Sequence, residues 1–177
     1  MYGDLDGTFP NHPADPIQPA NQRDLQARVL AGGFDVGLAF DGDADRVFLV
    51  DEQGRTMSGS TTTAILARVF LQRRPGATIL YNLISSRAVA EVIAENGGTG
   101  RRTKNGHSYM KQVMADTGAV FAGEHSGHYY FADNYRADSG LIAALVVLGE
   151  MSRTGLPLSK LREPVERYAN SGEINTQ

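Results

Sequence analysis

The 177-residue sequence contains no cysteine, which excludes disulfides and thiolate chemistry while constraining the compartment only weakly. It also lacks an excess of positive charge, since 17 Lys and Arg stand against 20 Asp and Glu for a net charge of -3. That balance gives no basic stripe for nucleic acid and no polybasic patch for a membrane. No segment approaches the roughly 18 consecutive apolar residues of a membrane span. The opening residues MYGDLDGTFPNHPAD have neither a charged nor an apolar targeting region. Repeats and low-complexity tracts are missing too. At 41% hydrophobic residues the chain can bury one real core, so the expectation is a soluble, cytoplasmic globular protein of one domain or two small ones. Any partner has to be read from local sites.

Pro10, Pro13, Pro16 and Pro19 predict irregular or turning chain at the start. NQRDLQARVLAGG then predicts a helix opened near Asn21 and closed by Gly32 and Gly33, with Leu25, Val29 and Leu30 on one face. FDVGLAFD predicts a buried strand and RVFLVDEQGR a strand and turn. Beyond Ser58, helices are expected over TTTAILARVFLQRR, SRAVAEVIAENGG, HSYMKQVMADTG and ADSGLIAALVVLGEMSR. Strands are expected over ATILYNL, GRRTKNG and the two arms of AVFAGEHSGHYYF. Strands alternating with helices of this length predict an α/β fold of βαβ crossovers, with a mostly parallel sheet covered on both faces. Ligands in such folds bind outside the carboxyl ends of the strands. Three polar clusters fall at positions of that kind: 41–46, 104–108 and 123–128.

In DGDADR the alternate residues Asp41, Asp43 and Asp45 can point one way past the small Gly42 and Ala44. Like charges that close repel by several kcal/mol, so a cation belongs among them. With no His or Cys adjoining, a hard ion such as Mg²⁺ fits better than zinc, and Arg46 stands ready as a phosphate clamp. A solvated acidic loop with Arg46 as counter-ion is the plainer reading. An EF-hand, with Glu52 at its twelfth position, fails on Arg46, where its turn requires glycine, and on its strand-like flanks.

In GEHSGH, Glu124 and Ser126 can point together toward adjacent diols, with His125 and His128 available to a phosphate or sugar. A decorated Gly-rich hairpin is the alternative. In TKNGHSYMK, Lys104 and His107 flank a helix start suited to phosphate or to acid/base work. There Lys111 reads as a solvated face residue and Ser108 as a cap. DLDGT at residues 4–8 spells the aspartate nucleophile motif of haloacid-dehalogenase-like phosphatases, but without the hydrophobic strand that motif needs before it.

Taken in order, DGDADR, TKNGHS and GEHSGH resemble the α-D-phosphohexomutase family, in its bacterial phosphomannomutase/phosphoglucomutase branch. DGTFPNHPADP and YANSGEIN extend the resemblance over nearly the whole chain. The resemblance implies three-layer α/β/α domains with a mostly parallel mixed sheet. It also implies interconversion of mannose or glucose 1- and 6-phosphates through a phosphoserine and a bisphosphate intermediate. Asp41, Asp43 and Asp45 would then bind Mg²⁺, and Arg46 would assist at the phosphoryl centre. His107 and His128 would lie near the reacting groups, Glu124 and Ser126 would hold sugar hydroxyls, and Lys104 and Arg87 would contact substrate.

Departures from the family pattern matter equally. No serine lies in a T-A-S-H-N-P-like loop, an R-x-S-x-T-E-P phosphate loop is missing, and Ile84 stands where many bacterial members have lysine. The expectation is therefore a partial chain without the family's first and fourth domains. Residues 1–57 would be the latter part of the second domain with the metal loop, 58–164 the third domain with the sugar loop, and 165–177 the threshold of the fourth. Such a piece would be inactive alone. Phosphoglucosamine mutase is the nearest competing activity. A non-catalytic Mg²⁺ and phosphosugar-binding module, or a phosphatase using Asp4, are the alternatives of another class.

Overall fold

From Asp6 to Gln18 the chain forms no helix or strand in the computed structural model, which describes residues 1–4 and 6–169. The end of YANSGEIN therefore lies outside the described residues. A 3₁₀ turn at Pro19–Gln22 leads into α1 (Arg23–Gly32), which ends where Gly33 takes φ +60° and returns its N–H to the Val29 carbonyl. Val29 is buried, but Leu30 is 59% exposed. Leu30 leans on the turn at Gly54 instead of entering the core expected for that face.

Strands β1 (Val36–Phe40) and β2 (Val47–Asp51) pair antiparallel, with Phe40 opposite Val47, so that residues 41–46 are their connection. β2 is wholly buried, whereas most of β1 is only half-buried, less than the sequence predicts. The reason is that β2 lies inside the main core, while β1 is an outer strand covered by α1 and β2.

The second sheet holds β3 (Thr78–Asn82), β4 (Thr99–Thr103), β5 (Phe121–Gly123) and β6 (Tyr129–Phe131) in the order β4-β3-β5-β6. β3 runs parallel to both of its neighbours, and only β6 is antiparallel. The helices are α2 (Gly59–Arg73), α3 (Arg87–Glu95), α4 (His107–Thr117), α5 (Gly140–Thr154) and a short α6 (Leu158–Arg162) that the sequence pattern did not announce. Period-two alternation splits the strand residues between two layers. Ile79, Tyr81, Phe121, Tyr129 and Phe131 pack with residues of α2, α3 and α5, while Leu80, Ala122 and Tyr130 pack with Met110 and Met114 of α4. The result is the expected α/β/α sandwich. Phe70 stacks on Phe121 at 5.2 Å and also meets Phe131, contacts worth about 0.5–1.5 kcal/mol beyond burial. β4, the exposed edge, carries Arg101 and Arg102, charges that discourage further strand pairing.

α6 locks the first hairpin to the rest. Arg162, almost wholly buried, donates to Asp51 and Glu166 and to the carbonyls of Arg55 and Thr56, while the Ser159 N–H donates to Glu52. Val165 enters the same core, and Arg167 and Tyr168 reach Glu91 on α3. Among the described residues no helix is long and apolar enough to cross a membrane.

Candidate metal and sugar-phosphate site

The loops after β1, β3, β4 and β5 gather at one edge. The 41–46 loop is shaped by Ala44, a non-glycine residue at φ +60°, whose N–H donates to the Asp41 carbonyl. Asp41 receives the Arg46 backbone N–H at 3.1 Å and its Nε at 2.6 Å. Arg46 also lies 3.6 Å from Asp15. It thus serves as counter-ion to two carboxylates on its own side of the loop. Oxygens of Asp41, Asp43 and Asp45 lie within 4.8 Å of one another. Burial opposes the charge on Asp41, but the hydrogen bonds from Arg46 outweigh it and lower its pKa. Asp45 moves the other way: burial and the charges of Asp41, Asp43 and Asp138 raise its pKa against the pull of His128. One arginine against this many carboxylates leaves uncompensated negative charge. The all-oxygen donor set therefore fits a hard divalent cation.

The 124–128 loop closes when the Gly127 N–H bonds the Glu124 carbonyl, with Gly127 at φ +93° where a side chain would meet the Phe48 ring. Glu124 is 3% exposed yet well served. One oxygen accepts the Gly106 N–H at the start of α4, and the other accepts the Ser126 hydroxyl at 3.1 Å and faces His128 Nδ1 at 3.3 Å. Burial alone would raise the Glu124 carboxyl, but His128, Gly106 and Ser126 lower it, so it is an ionised acceptor. Burial likewise opposes the charge on His128, and Glu124, Asp45 and Asp138 outweigh it, raising its pKa. His128 Nε2 lies 3.5 Å from Asp45, and a backbone bridge pairs Arg46 with His128. The aspartate loop and the glutamate loop are therefore parts of one constellation.

His107 joins it from α4, with its ring centre 4.7 Å from that of His128 and its Nδ1 3.2 Å from Asp138. Lys111, expected on a solvated face, instead turns to Asp138 at 3.6 Å. Asp138 is a site residue that the sequence pattern did not single out. Its one local sign was a carboxylate immediately before the Ser139 cap of α5. Two expected substrate contacts stand apart. Lys104 is exposed with its ammonium over the Tyr109 ring, and Arg87 pairs with Glu91 one helical turn along α3. His125 turns away as well, half-buried, its Nδ1 2.9 Å from the Ser60 hydroxyl and its N–H on Asn82. Ser108 caps nothing, since Gly106 occupies the N-cap of α4. Ile84 and Leu83 are exposed apolar residues after β3. Asp4 lies exposed in irregular chain, far in sequence from the first strand at Val36, so the context of an aspartate nucleophile is not present among the described residues.

Comparison with known proteins gives a consistent picture. Residues 58–168 match the family model described as phosphoglucomutase/phosphomannomutase, alpha/beta/alpha domain III, and residues 2–54 match that for alpha/beta/alpha domain II. A phosphoglucomutase of Neisseria meningitidis is 38% identical over 99% of this chain and 38% of its own length. A phosphomannomutase of Escherichia coli K12 is 38% identical over 100% of this chain and 39% of its own. A crystal structure of a phosphoglucomutase/phosphomannomutase family protein from Burkholderia thailandensis superposes with a TM-score of 0.87 at 38% identity, covering 91% of this chain and 35% of that one. The chain thus spans well under half the length of the relatives it matches.

Proposed function

The chain belongs to the phosphoglucomutase/phosphomannomutase family, and from that premise we propose that it is the metal-binding and sugar-reading part of a phosphohexomutase. The whole enzyme would interconvert hexose 1-phosphates and 6-phosphates through a phosphoserine and a bisphosphate intermediate. The observation that carries this reading is the junction of the two loops: the loop of Asp41, Asp43 and Asp45 meets the loop of Glu124 and Ser126 through His128.

Each residue's role follows from its chemistry. Ionised Glu124 accepts hydrogen bonds from two neighbouring hydroxyls of a hexose, and Ser126 gives or accepts a third. His128, held by Glu124 on one ring nitrogen, and His107, held by Asp138, lie where a proton passes to or from the reacting oxygen. Arg46 presents its guanidinium to the phosphoryl group. Lys104 and Arg87 contact the substrate's phosphate once they leave Tyr109 and Glu91. Magnesium bound by Asp41, Asp43 and Asp45 would supply positive charge to offset that on the transferring phosphoryl group.

None of Ser85, Ser86, Ser108, Ser126 or Ser139 has the sequence context of the phosphoserine, so residues outside this sequence would donate it. On this reading residues 1–57 and 58–164 are the metal-loop and sugar-loop parts, and 165–177 leads onward. The relatives carry both glucose and mannose names at equal identity, so either sugar phosphate is a fair probe.

Calorimetric titration of the chain with glucose 1-phosphate and mannose 1-phosphate, with and without Mg²⁺, tests the proposal beside Glu124→Ala. Binding of at least one sugar phosphate is expected, with loss in the variant. Equal binding by Glu124→Ala, or none by the unaltered chain, overturns the assignment of this loop as a self-sufficient sugar reader.

A further inference from the structure

Asp45, His107, His128 and Asp138 bring one donor atom each to within 4.8 Å of the others, at the mouth between the 41–46 loop and the start of α4. We propose that these four side chains form a second cation site, one that takes a four-coordinate transition-metal ion of the zinc type. It goes beyond the magnesium and sugar-phosphate reading, from which it draws Asp45 of the metal ligands and the two histidines given a proton-transfer role, so an ion held here would take those rings out of proton transfer.

Donor chemistry separates it from the aspartate triad. Two imidazoles and two carboxylates suit zinc, copper or nickel, whereas magnesium seeks oxygen alone. Two ionised carboxylates and two neutral rings carry the charge that a divalent ion cancels once Lys111, whose ammonium lies 3.6 Å from the other Asp138 oxygen, swings out to solvent. Donor atoms around tetrahedral zinc stand about 3.3 Å apart, so spacings of up to 4.8 Å close by modest side-chain rotation.

Two independent features point to a ligand there. The Asp138 side chain is only 8% exposed, and its Oδ2 is buried without a hydrogen-bond partner although it faces His107. A buried carboxylate oxygen in that state is costly unless a cation or proton completes it. Second, His128 is already oriented as metal-binding histidines are. Its Nδ1 faces Glu124 at 3.3 Å and the Ser126 hydroxyl at 3.1 Å, which leaves Nε2 to face Asp45 and the cluster. His107, with 45% of its side chain exposed, leaves the site open for an ion to enter.

The test titrates the chain with Zn²⁺ by calorimetry and with Co²⁺ by visible absorption, since four-coordinate cobalt gives a distinctive intense band. Variants are His107→Ala, Asp138→Asn and, as the separating control, Asp43→Asn, each checked by circular dichroism. His107→Ala is at an exposed position and keeps the test readable if Asp138→Asn fails to fold. Zn²⁺ affinity is expected to fall about tenfold or more in His107→Ala and Asp138→Asn, with loss of the cobalt band. Asp43→Asn is expected to leave both nearly unchanged while weakening Mg²⁺. Zinc binding that survives the removal of His107, that falls equally in Asp43→Asn, or that is absent from the unaltered chain overturns the proposal. Failure of the magnesium reading would show separately, as Mg²⁺ binding indifferent to Asp43→Asn.

Discussion

Gly140 opens α5 directly against the aspartate loop, and replacing it with alanine should press on that loop from behind. A Cβ there would lie 2.6 Å from the Arg46 carbonyl oxygen and 2.9 Å from that of Ala44, where ordinary contact begins at 3.4 Å. Both obstacles are backbone, so neither can rotate aside, and one of them must retreat by most of an ångström. Overpacking of this kind costs about 1–3 kcal/mol. For a chain of this size that lowers Tm by about 2–12 °C. The Gly140 N–H also bonds the Ala44 carbonyl, so the retreat loosens the turn that brings Asp41, Asp43 and Asp45 together. Gly149→Ala on the same helix is the matched control. Nothing lies within 4 Å of its Cβ position, and filling a helical glycine there should stabilise by about 0.5–1 kcal/mol. Urea denaturation and Mg²⁺ titration of both variants read the effect. Opposite signs in stability, with Mg²⁺ affinity weakened only in Gly140→Ala, are expected. If both variants shift in the same direction, or Gly140→Ala binds Mg²⁺ unchanged, the close approach does not govern the loop.

The Arg162–Asp51 pair supports two further expectations. Arg162→Met strips a buried carboxylate of a principal partner and should cost about 3–5 kcal/mol, much of it recovered when Asp51→Asn is added, as chemical denaturation will measure. Burial opposes the charge on Asp51, but hydrogen bonds from Arg55 and Arg162 hold its pKa below the usual carboxylate value. Because the folded value is the depressed one, this contribution is complete above the unfolded pKa of about 3.9 and drains away as pH falls through the folded value. Denaturation midpoints followed from pH 6 to pH 2 should therefore fall less steeply in Asp51→Asn than in the unaltered chain.

The order of the strands and longer helices could be read from local signals, because most of those helices are closed by chemistry in their own segments. Gly33, Gly118 and Gly155 all take left-handed caps, and Ser58 and Ser139 accept from the first turns of α2 and α5. The near-continuous apolar runs in ATILYNL and AVFAG likewise mark strands with two buried faces. Burial proved harder. Leu30 and the outer strand β1 are apolar in pattern but half-buried or exposed, because apolarity does not say which layer is covered. α6 is too short for periodicity to reveal, and Arg162 in it finds Asp51 across more than a hundred residues.

For the site, the sequence by itself determined which chemistry was available: three alternating aspartates, a glutamate with a serine two residues on, and histidines beside glycines. Short spacing also decides that Glu124, Ser126 and His128 share one turn, since a tight loop leaves little choice. Only the tertiary structure decided which of these groups meet. It brought His128 against Asp45 and drew His107 and Lys111 to Asp138, and it turned His125 toward Ser60 and left Arg87 on Glu91. The physical reason is that the site joins two sheets: the parallel strands deliver the ends of β3, β4 and β5 to one edge from segments some twenty residues apart, and the β1–β2 hairpin loop docks there through the bridge between Arg46 and His128. No local pattern records which side chains face one another across that edge.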